Sequence, residues 1–336
     1  MTNCPGCLKE GHSTYCQPCR KRLFGGKKVS HVLPFSRPVY NQTKLATTGK
    51  RLSISGIQTK MSLVLRGGRL EMTETGGQYI LKPIPYGELQ HLDEVPVNEN
   101  LTMQIARQVF GLRVAENALV EFEGGELAYL VRRFDVQEDG TRHLQEDFAQ
   151  IAQRSEESHG KNYKYDSSYE EIGDLIRKHV AAYQVEMEKF LHLVVFNYLV
   201  HNGDAHLKNF SLIRNEELGD YTLTPAYDLL NTRLHVPHET RTALALFKDD
   251  FETESHKINA FYAYDDFQEL ANRLDLHPVR FQRFMRSAVS KEREAFALID
   301  RSMLSEQCKE IYKESMRDSI RALSYSHKLR GHGEQV

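Results

Sequence analysis

Residues 190–200, Phe-Leu-His-Leu-Val-Val-Phe-Asn-Tyr-Leu-Val, are nearly all apolar and run straight into the polar stretch His201-Asn202-Gly203-Asp204-Ala205-His206-Leu207-Lys208-Asn209-Phe210. The apolar run is too long for a typical strand and predicts a helix buried on most of its surface. Such a helix anchors the start of the loop behind it. Beyond the loop, 210–214 and 221–224 have β character, and the turn-rich 215–220 predicts a hairpin between them. Tyr227-Asp228 follows. An Asp, an Asn five residues later and a second Asp beyond a hairpin are the minimal set for ATP phosphoryl transfer. In that chemistry Asp204 orients or deprotonates an acceptor hydroxyl, while Asn209 and Asp228 hold Mg²⁺ on the phosphates. An Asx-rich turn would also explain the Asn and Gly, but not the paired acids at this spacing.

Such a reaction needs a second lobe over the phosphates. Residues 51–65 predict a turn between two alternating apolar segments, with Ser53, Ser55 and Gly56 small enough for backbone N–H groups to approach phosphate. The stretch lacks the Gly-Lys-Ser/Thr of a P-loop and has one glycine, so an ordinary hairpin turn stands as the alternative. Residues 78–83 predict a strand. Its Lys82 suits the lysine that meets nucleotide phosphates, against the commoner solvated strand lysine. A helix is predicted from about 98 to 110, with Leu101, Ile105 and Val109 on one face. Glu99 is positioned to pair with Lys82. Glu88 and Glu94 are rival partners, and a first-turn glutamate also suits the helix dipole.

Together, 53–60, 79–83, Arg133-Phe134-Asp135 with 145–148, 201–209 and Tyr227-Asp228 resemble the motifs of the HipA-like serine/threonine kinases. The resemblance implies a bilobal, protein-kinase-like α+β fold. It implies Asp204 as catalytic base, Lys208 as a cation offsetting transition-state charge, and Asn209 and Asp228 as Mg²⁺ ligands. ATP contacts are implied for the phosphate loop (Ser53, Ile54, Ser55, Gly56, Gln58, Lys60) and for Lys82, His206 and Tyr227. The backbone from Arg132 to Phe134 would pair with adenine and Asp135 would reach the ribose; the family usually has Glu where this chain has Arg132. Ser53 and Ser55 are implied autophosphorylation sites, since a phosphoserine of about −1.5 to −2 charges there repels ATP or pulls the loop outward. Without the resemblance, both serines read as turn caps.

Family members typically carry an extra N-terminal subdomain before the phosphate loop, whereas about fifty residues precede Ser53. The chain is therefore most similar to the short HipT-type toxin kinases of three-gene toxin–antitoxin systems. The partners so implied are a small antitoxin equivalent to the missing subdomain, a DNA-binding antitoxin, and an aminoacyl-tRNA synthetase (the tryptophanyl enzyme) as substrate. Two other readings stand beside this one: a small-molecule kinase of the aminoglycoside or choline type, and a weakly active binding module of a DNA-bound antitoxin complex.

Four of the five cysteines fall in the first 19 residues, as Cys4-x2-Cys7 and Cys16-x2-Cys19. Two such knuckles suit a structural zinc site; a disulfide pair and a metal-free reduced turn are the alternatives. Residues 1–25 lack the apolar core of a signal peptide, which disfavours disulfides. Cys308 stands alone and suits helix packing. The basic run Arg20, Lys21, Arg22, Lys27, Lys28 reads as solvated surface rather than a nucleic-acid contact. The 44 basic and 46 acidic residues of the 336 do not suggest a nucleic-acid binder. No apolar run reaches the roughly 18 residues of a membrane span, so a cytoplasmic protein is expected. The domains expected are a Cys-rich knuckle (1–29), an ATP-covering small lobe (30–137), a helical catalytic lobe (138–326) and a frayed tail (327–336). Polar residues 154–170 predict a mobile loop beside the cleft, and 265–274, 277–303 and 305–324 predict helices.

Overall fold

A computed structural model describes residues 2–38, 58–137, 139–216 and 219–330. Ser53, Ile54, Ser55 and Gly56, with both expected autophosphorylation sites, lie outside them, as do the middle of the hairpin turn and residues 331–336. The fold is α+β. A five-stranded antiparallel sheet has the order β2-β1-β3-β5-β4, built from β1 (Met61–Arg66), β2 (Arg69–Met72), β3 (Tyr79–Pro83), β4 (Asn117–Glu121) and β5 (Leu127–Arg132). In β3, Leu81, Lys82 and Pro83 are all buried. Lys82 thus stands in the middle of the sheet, paired in register with Tyr129 of β5.

Helix α2 (Val95–Gln108) crosses behind this sheet. It begins three residues before the position expected from sequence, so Glu99 lies in its second turn rather than its first. The sequence shows one apolar face, but every residue from Val95 to Ala106 is buried. Asn98, Glu99, Thr102 and Gln104 find specific partners, as buried polar groups usually do, whereas neither polar atom of the Asn100 side chain has one among the described residues. The N-terminal segment, with helix α1 (Gln17–Phe24), packs into the core of the small lobe, where Tyr15, Leu23 and Phe24 join Leu63, Leu81 and Leu130. The basic run is therefore not simply solvated: Arg22 Nε pairs with Glu116 at 3.1 Å.

The second lobe is mostly helical. Helix α3 (Tyr169–His179) starts from a capping box in which Ser168 and Glu171 exchange backbone hydrogen bonds. Helix α4 (Tyr183–Leu199) is the predicted buried helix. A three-stranded antiparallel sheet, β6 (Gln145–Asp147), β7 (Ser211–Asn215) and β8 (Asp220–Leu223), contains the predicted hairpin. Helices α5 (Tyr264–Arg273), α6 (Pro278–Val289), α7 (Glu292–Arg301) and α8 (Glu306–Leu323) follow. The single stretch expected over 277–303 is two helices, broken at Ser290-Lys291. The tail expected to fray from 327 begins instead as a helical turn, His327–Arg330, whose first amide donates to Asp265 at 2.9 Å. The segment 154–170 is folded into short turns capped by Ser155 and Ser168.

Candidate active site

Helix α4 ends at Leu199, and the chain reverses through His201 in the left-handed region, with φ 57°. Asn202 then closes the loop on Asn197, its amide donating to the Asn197 carbonyl at 2.8 Å and its side chain to the Asn197 Oδ1 at 2.9 Å. The Gly203 amide donates to Thr232 Oγ1 at 2.9 Å, and Thr232 Oγ1 donates to the His201 carbonyl at the same distance. Only glycine fits at 203, because a Cβ there would lie 2.2 Å from the Thr240 carbonyl oxygen. These ties hold Asp204, whose side chain is 6% exposed. The Tyr165 hydroxyl donates to Asp204 Oδ1 at 2.5 Å.

A single helical turn, Leu207–Asn209, carries the amide of the trio. The His206 amide donates to Asn209 Oδ1 at 3.2 Å, and the Asn209 amide to the His206 carbonyl at 2.9 Å. His206 is 2% exposed, and neither ring nitrogen has a hydrogen-bond partner among the described residues. Burial pushes its imidazole down to about 4, against the pull of Asp204, so the ring is neutral near pH 7. Its Nε2 lies 3.8 Å from Asp204 Oδ1 and its ring meets Tyr165 edge-on at 5.1 Å. Lys208 is half-exposed, with Nζ 3.8 Å from Asp147 Oδ2. Tyr227 donates to the Lys208 carbonyl at 2.9 Å, contacts Ser211 Oγ at 2.5 Å and stacks near Phe134 at 5.8 Å, so it fastens the loop to the hairpin and to the strand side.

Asp228 takes a left-handed backbone, with φ 54°. The preceding Ala226 is held by the segment after α2, through Ala226 N to Arg113 O at 2.8 Å and Ala115 N to Ala226 O at 2.9 Å. Lys82 hydrogen-bonds both Asp228 and Glu99, the latter at 2.5 Å. Of the three glutamates considered from sequence, Glu99 makes the pair. Burial acts against the Lys82 charge, but Asp228 and Glu99 outweigh it and hold the ammonium above its usual range. For Asp228, burial raises the carboxyl while Lys82 and then Lys60 lower it, and the cations prevail. Lys60 Nζ is 3.9 Å from Asp228 Oδ2. Glu99 is fully buried, and burial, only partly offset by Lys82, pushes it up to about 7. Two carboxylates share one ammonium, so the second charge is the costly one.

The remaining sequence candidates are less uniform. Gln58 is buried, and its Nε2 has no partner among the described residues. The Arg132 amide is already committed to the Glu116 carbonyl at 2.7 Å, and its guanidinium to the Arg22 carbonyl at 2.8 Å. The Arg133 amide is likewise committed, to the Gln78 carbonyl at 2.8 Å, so neither of these two expected hinge amides is available as a donor. Asp135 is engaged by Arg133 at 2.5 and 3.0 Å. Tyr165 escaped sequence reasoning because it is one of three tyrosines, with Tyr163 and Tyr169, in a polar stretch whose spacing carries no periodicity. Asp228 and Asn209 offer carboxylate and amide oxygens, the hard donors that suit Mg²⁺ with phosphate and water completing its shell.

Comparison with known proteins yields a consistent set. The sequence matches the profile of the HipA-like C-terminal domain over residues 52–300. It is 29% identical over 276 residues to a Haemophilus influenzae protein named as a putative kinase, covering 76% of each chain. It is 28% identical over 234 residues to the serine/threonine-protein kinase toxin HipA of Shewanella oneidensis, covering 64% of this chain and 49% of that one. The fold matches the HipA chain of the Shewanella oneidensis HipA, HipB and operator DNA complex with a TM-score of 0.63 at 24% identity, over 85% of this chain and 68% of that one. The chain thus spans three quarters of the first relative and about half of the second. No helix among the described residues is long and apolar enough to cross a membrane.

Proposed function

This chain belongs to the HipA-like C-terminal domain family, and from that premise we propose that it is an ATP- and Mg²⁺-dependent serine/threonine protein kinase. The observation that carries the reading is Lys82 bonded to both Glu99 and Asp228, with Asp228 beyond the hairpin that follows the loop holding buried Asp204. Asp204 orients the acceptor hydroxyl and takes its proton as the new O–P bond forms and the β–γ bridging bond of ATP breaks. Asn209 and Asp228 are the residues that would hold Mg²⁺, which neutralises phosphate charge when bound. Glu99 keeps Lys82 aimed into the cleft. The neutral His206 ring lies 3.8 Å from Asp204 Oδ1 without adding charge there. Lys60 reaches toward Asp228, and with Gln58 it directly follows in sequence the segment that carries Ser53 and Ser55.

The role follows the relatives' names. We place the chain as the toxin of a toxin–antitoxin system, with a DNA-binding antitoxin and a small antitoxin as partners. Its substrate is an aminoacyl-tRNA synthetase, of which the tryptophanyl enzyme is the first to test. Autophosphorylation at Ser53 or Ser55 regulates it, and it works in the cytoplasm. The experiment is intact-mass spectrometry of wild type and Asp204→Asn with Mg-ATP, alone and with purified tryptophanyl-tRNA synthetase. One or two phosphoryl increments on the wild-type chain, or one on the synthetase, and none with Asp204→Asn, support the reading. Transfer only to small aminoalcohols redirects it to a small-molecule kinase. No transfer to protein, extract or alcohol leaves a binding module and sinks the kinase proposal.

A further inference from the structure

The first knuckle is a tight turn in which Leu8 N donates to the Cys4 carbonyl at 2.9 Å and Cys4 N to the Lys9 carbonyl at 2.8 Å. In the second, Cys16 caps α1, a proline occupies the helix start, and Cys19 lies in its first turn. The four Sγ atoms all lie within 4.8 Å of one another, and Cys7 and Cys16 are 3.6 Å apart. Zn–S bonds of about 2.3 Å in a tetrahedron place sulfurs about 3.8 Å apart, so the spread brackets that of a loaded site. A disulfide needs sulfurs at about 2.05 Å, and all four thiols are free. Further features serve the sulfurs. Cys16 N points at Cys4 Sγ at 3.3 Å, and Arg22 Nη2 at Cys19 Sγ at 3.3 Å. A Cβ on Gly6 would come within 2.8 Å of Cys19 Sγ, so glycine is what lets the two knuckles close.

We propose that Cys4, Cys7, Cys16 and Cys19 hold one structural Zn²⁺, and that this tetrathiolate clasp braces the β4–β5 edge of the small lobe. Sulfur-only donors select zinc over Mg²⁺ or Ca²⁺, and four of them leave no open position for catalysis. Each thiol enters as thiolate and releases its proton to solvent. Arg22 offsets part of the net negative charge of the loaded cluster. The clasp reaches its target through short links. Leu119 N of β4 donates to the Pro5 carbonyl, and Tyr15 Oη to the Leu119 carbonyl, both at 2.9 Å. Gln108, at the end of α2, donates to the Cys7 carbonyl at 3.0 Å. Arg22 pairs with Glu116, whose carbonyl takes the Arg132 amide, and Arg132 in turn donates to the Arg22 carbonyl. Loss of the metal therefore loosens the end of β5 as well as the knuckle.

The test is elemental analysis of the full chain purified without chelator, with wild type and Cys16→Ser/Cys19→Ser compared. One zinc per wild-type chain and none in the variant is the expected result. Because the variant risks misfolding, a second measurement uses the unaltered chain. Exchange of its metal for Co²⁺ should give the thiolate charge-transfer band and the intense visible bands of tetrahedral cobalt–thiolate. Stripping the metal should then speed hydrogen exchange at the Leu119 and Arg132 amides. Wild-type protein with no zinc above the buffer blank and no cobalt–thiolate band overturns the proposal. A wild-type mass short by the hydrogens of one or two disulfides, or zinc retained by the variant, does the same.

Discussion

Lys82 is 3% exposed between two carboxylates, and what its removal does depends on which charges are left behind. Lys82→Met leaves Glu99 and Asp228 facing each other with only the half-exposed Lys60, 3.9 Å from Asp228, as a cation. It should cost about 3–5 kcal/mol, the range for stripping one partner from a buried pair, and abolish transfer. Glu99→Gln should cost under about 1 kcal/mol, because Glu99 is pushed up to about 7, so that near neutral pH about half of it is already in the protonated form that a neutral amide resembles. Urea unfolding of both variants checks this; equal losses would mean that the shared-ammonium picture is wrong. Tyr165→Phe removes one hydroxyl from Asp204 and keeps the ring against His206. It should leave stability within about 1 kcal/mol and lower kcat with little change in KM for ATP, since it frees the base and not the nucleotide. Lys82, Glu99, Asp204, Asn209 and Asp228 were legible because each sits next to an apolar run whose period fixes an element. Tyr165 was not, because 154–170 has no period and what brings it to Asp204 is a contact 39 residues away.

At the scale of elements, α2 is tied to the segment that follows Asp228. Asn98 Nδ2 donates to the Asn231 carbonyl at 2.8 Å, and Asn231 N to Asn98 Oδ1 at 3.0 Å. His235 Nε2 accepts from the same amide nitrogen at 2.9 Å while its Nδ1–H faces the Gln90 carbonyl at 2.9 Å, which fixes the tautomer. From the far side, Ser315 of α8 receives Asn231 Nδ2 at 2.6 Å, and Tyr312 contacts Thr102 at 2.8 Å. The helix carrying Glu99 and the loop carrying Asp228 thus share one buried network. Asn98→Ala leaves the Asn231 N–H and C=O without their side-chain partner. It should cost about 2–4 kcal/mol, two buried polar groups at about 1–3 kcal/mol each with some relief from water. It should also raise KM for Mg-ATP by displacing Asp228 against Lys82. A variant as stable as wild type under denaturant would show the clamp to be redundant. Element existence was readable along the chain: the hairpin, the Lys82 strand and the helices at 264–273 and 306–323 appear within a residue or two of their expected bounds, while the buried helix begins seven residues before the expected 190. The burial of α2 on every side was not, because Asn98, Thr102 and Gln104 look like a solvent face until their distant partners are known. The split of 277–303 was missed for a related reason: Ser290 and Lys291 carry no Gly or Pro to mark the break.

For the whole molecule, the acid limit of stability is set by groups the fold keeps in their uncharged form. Four histidines are pushed down to about 4, in each case by burial first: His192, His206, and the pair His201 and His235. His201 Nε2 faces the Glu239 carbonyl at 2.9 Å, so both rings of that pair are tied to distant loops. Between pH 6.5 and 4 the unfolded chain takes up protons at these rings that the folded chain refuses. Stability is therefore present above pH 6.5 and is lost as pH falls, each ring contributing up to about 1.4 kcal/mol per pH unit. Glu99 works in the opposite direction. Its folded value of about 7 lies above the ordinary 4.5, so the folded chain binds a proton first and gains stability as pH falls from 7 to 4.5. Four histidines against one glutamate give a net loss on acidification. The balance can be shifted in either direction by one substitution. Glu99→Gln removes the opposing proton and should steepen the loss between pH 7 and 5. His235→Gln should lower stability at pH 7 but flatten the slope by about one proton. Urea midpoints of the three proteins at several pH values from 7 to 5 give the slopes directly. Parallel curves would mean that these buried groups do not govern the acid response and that exposed carboxylates do.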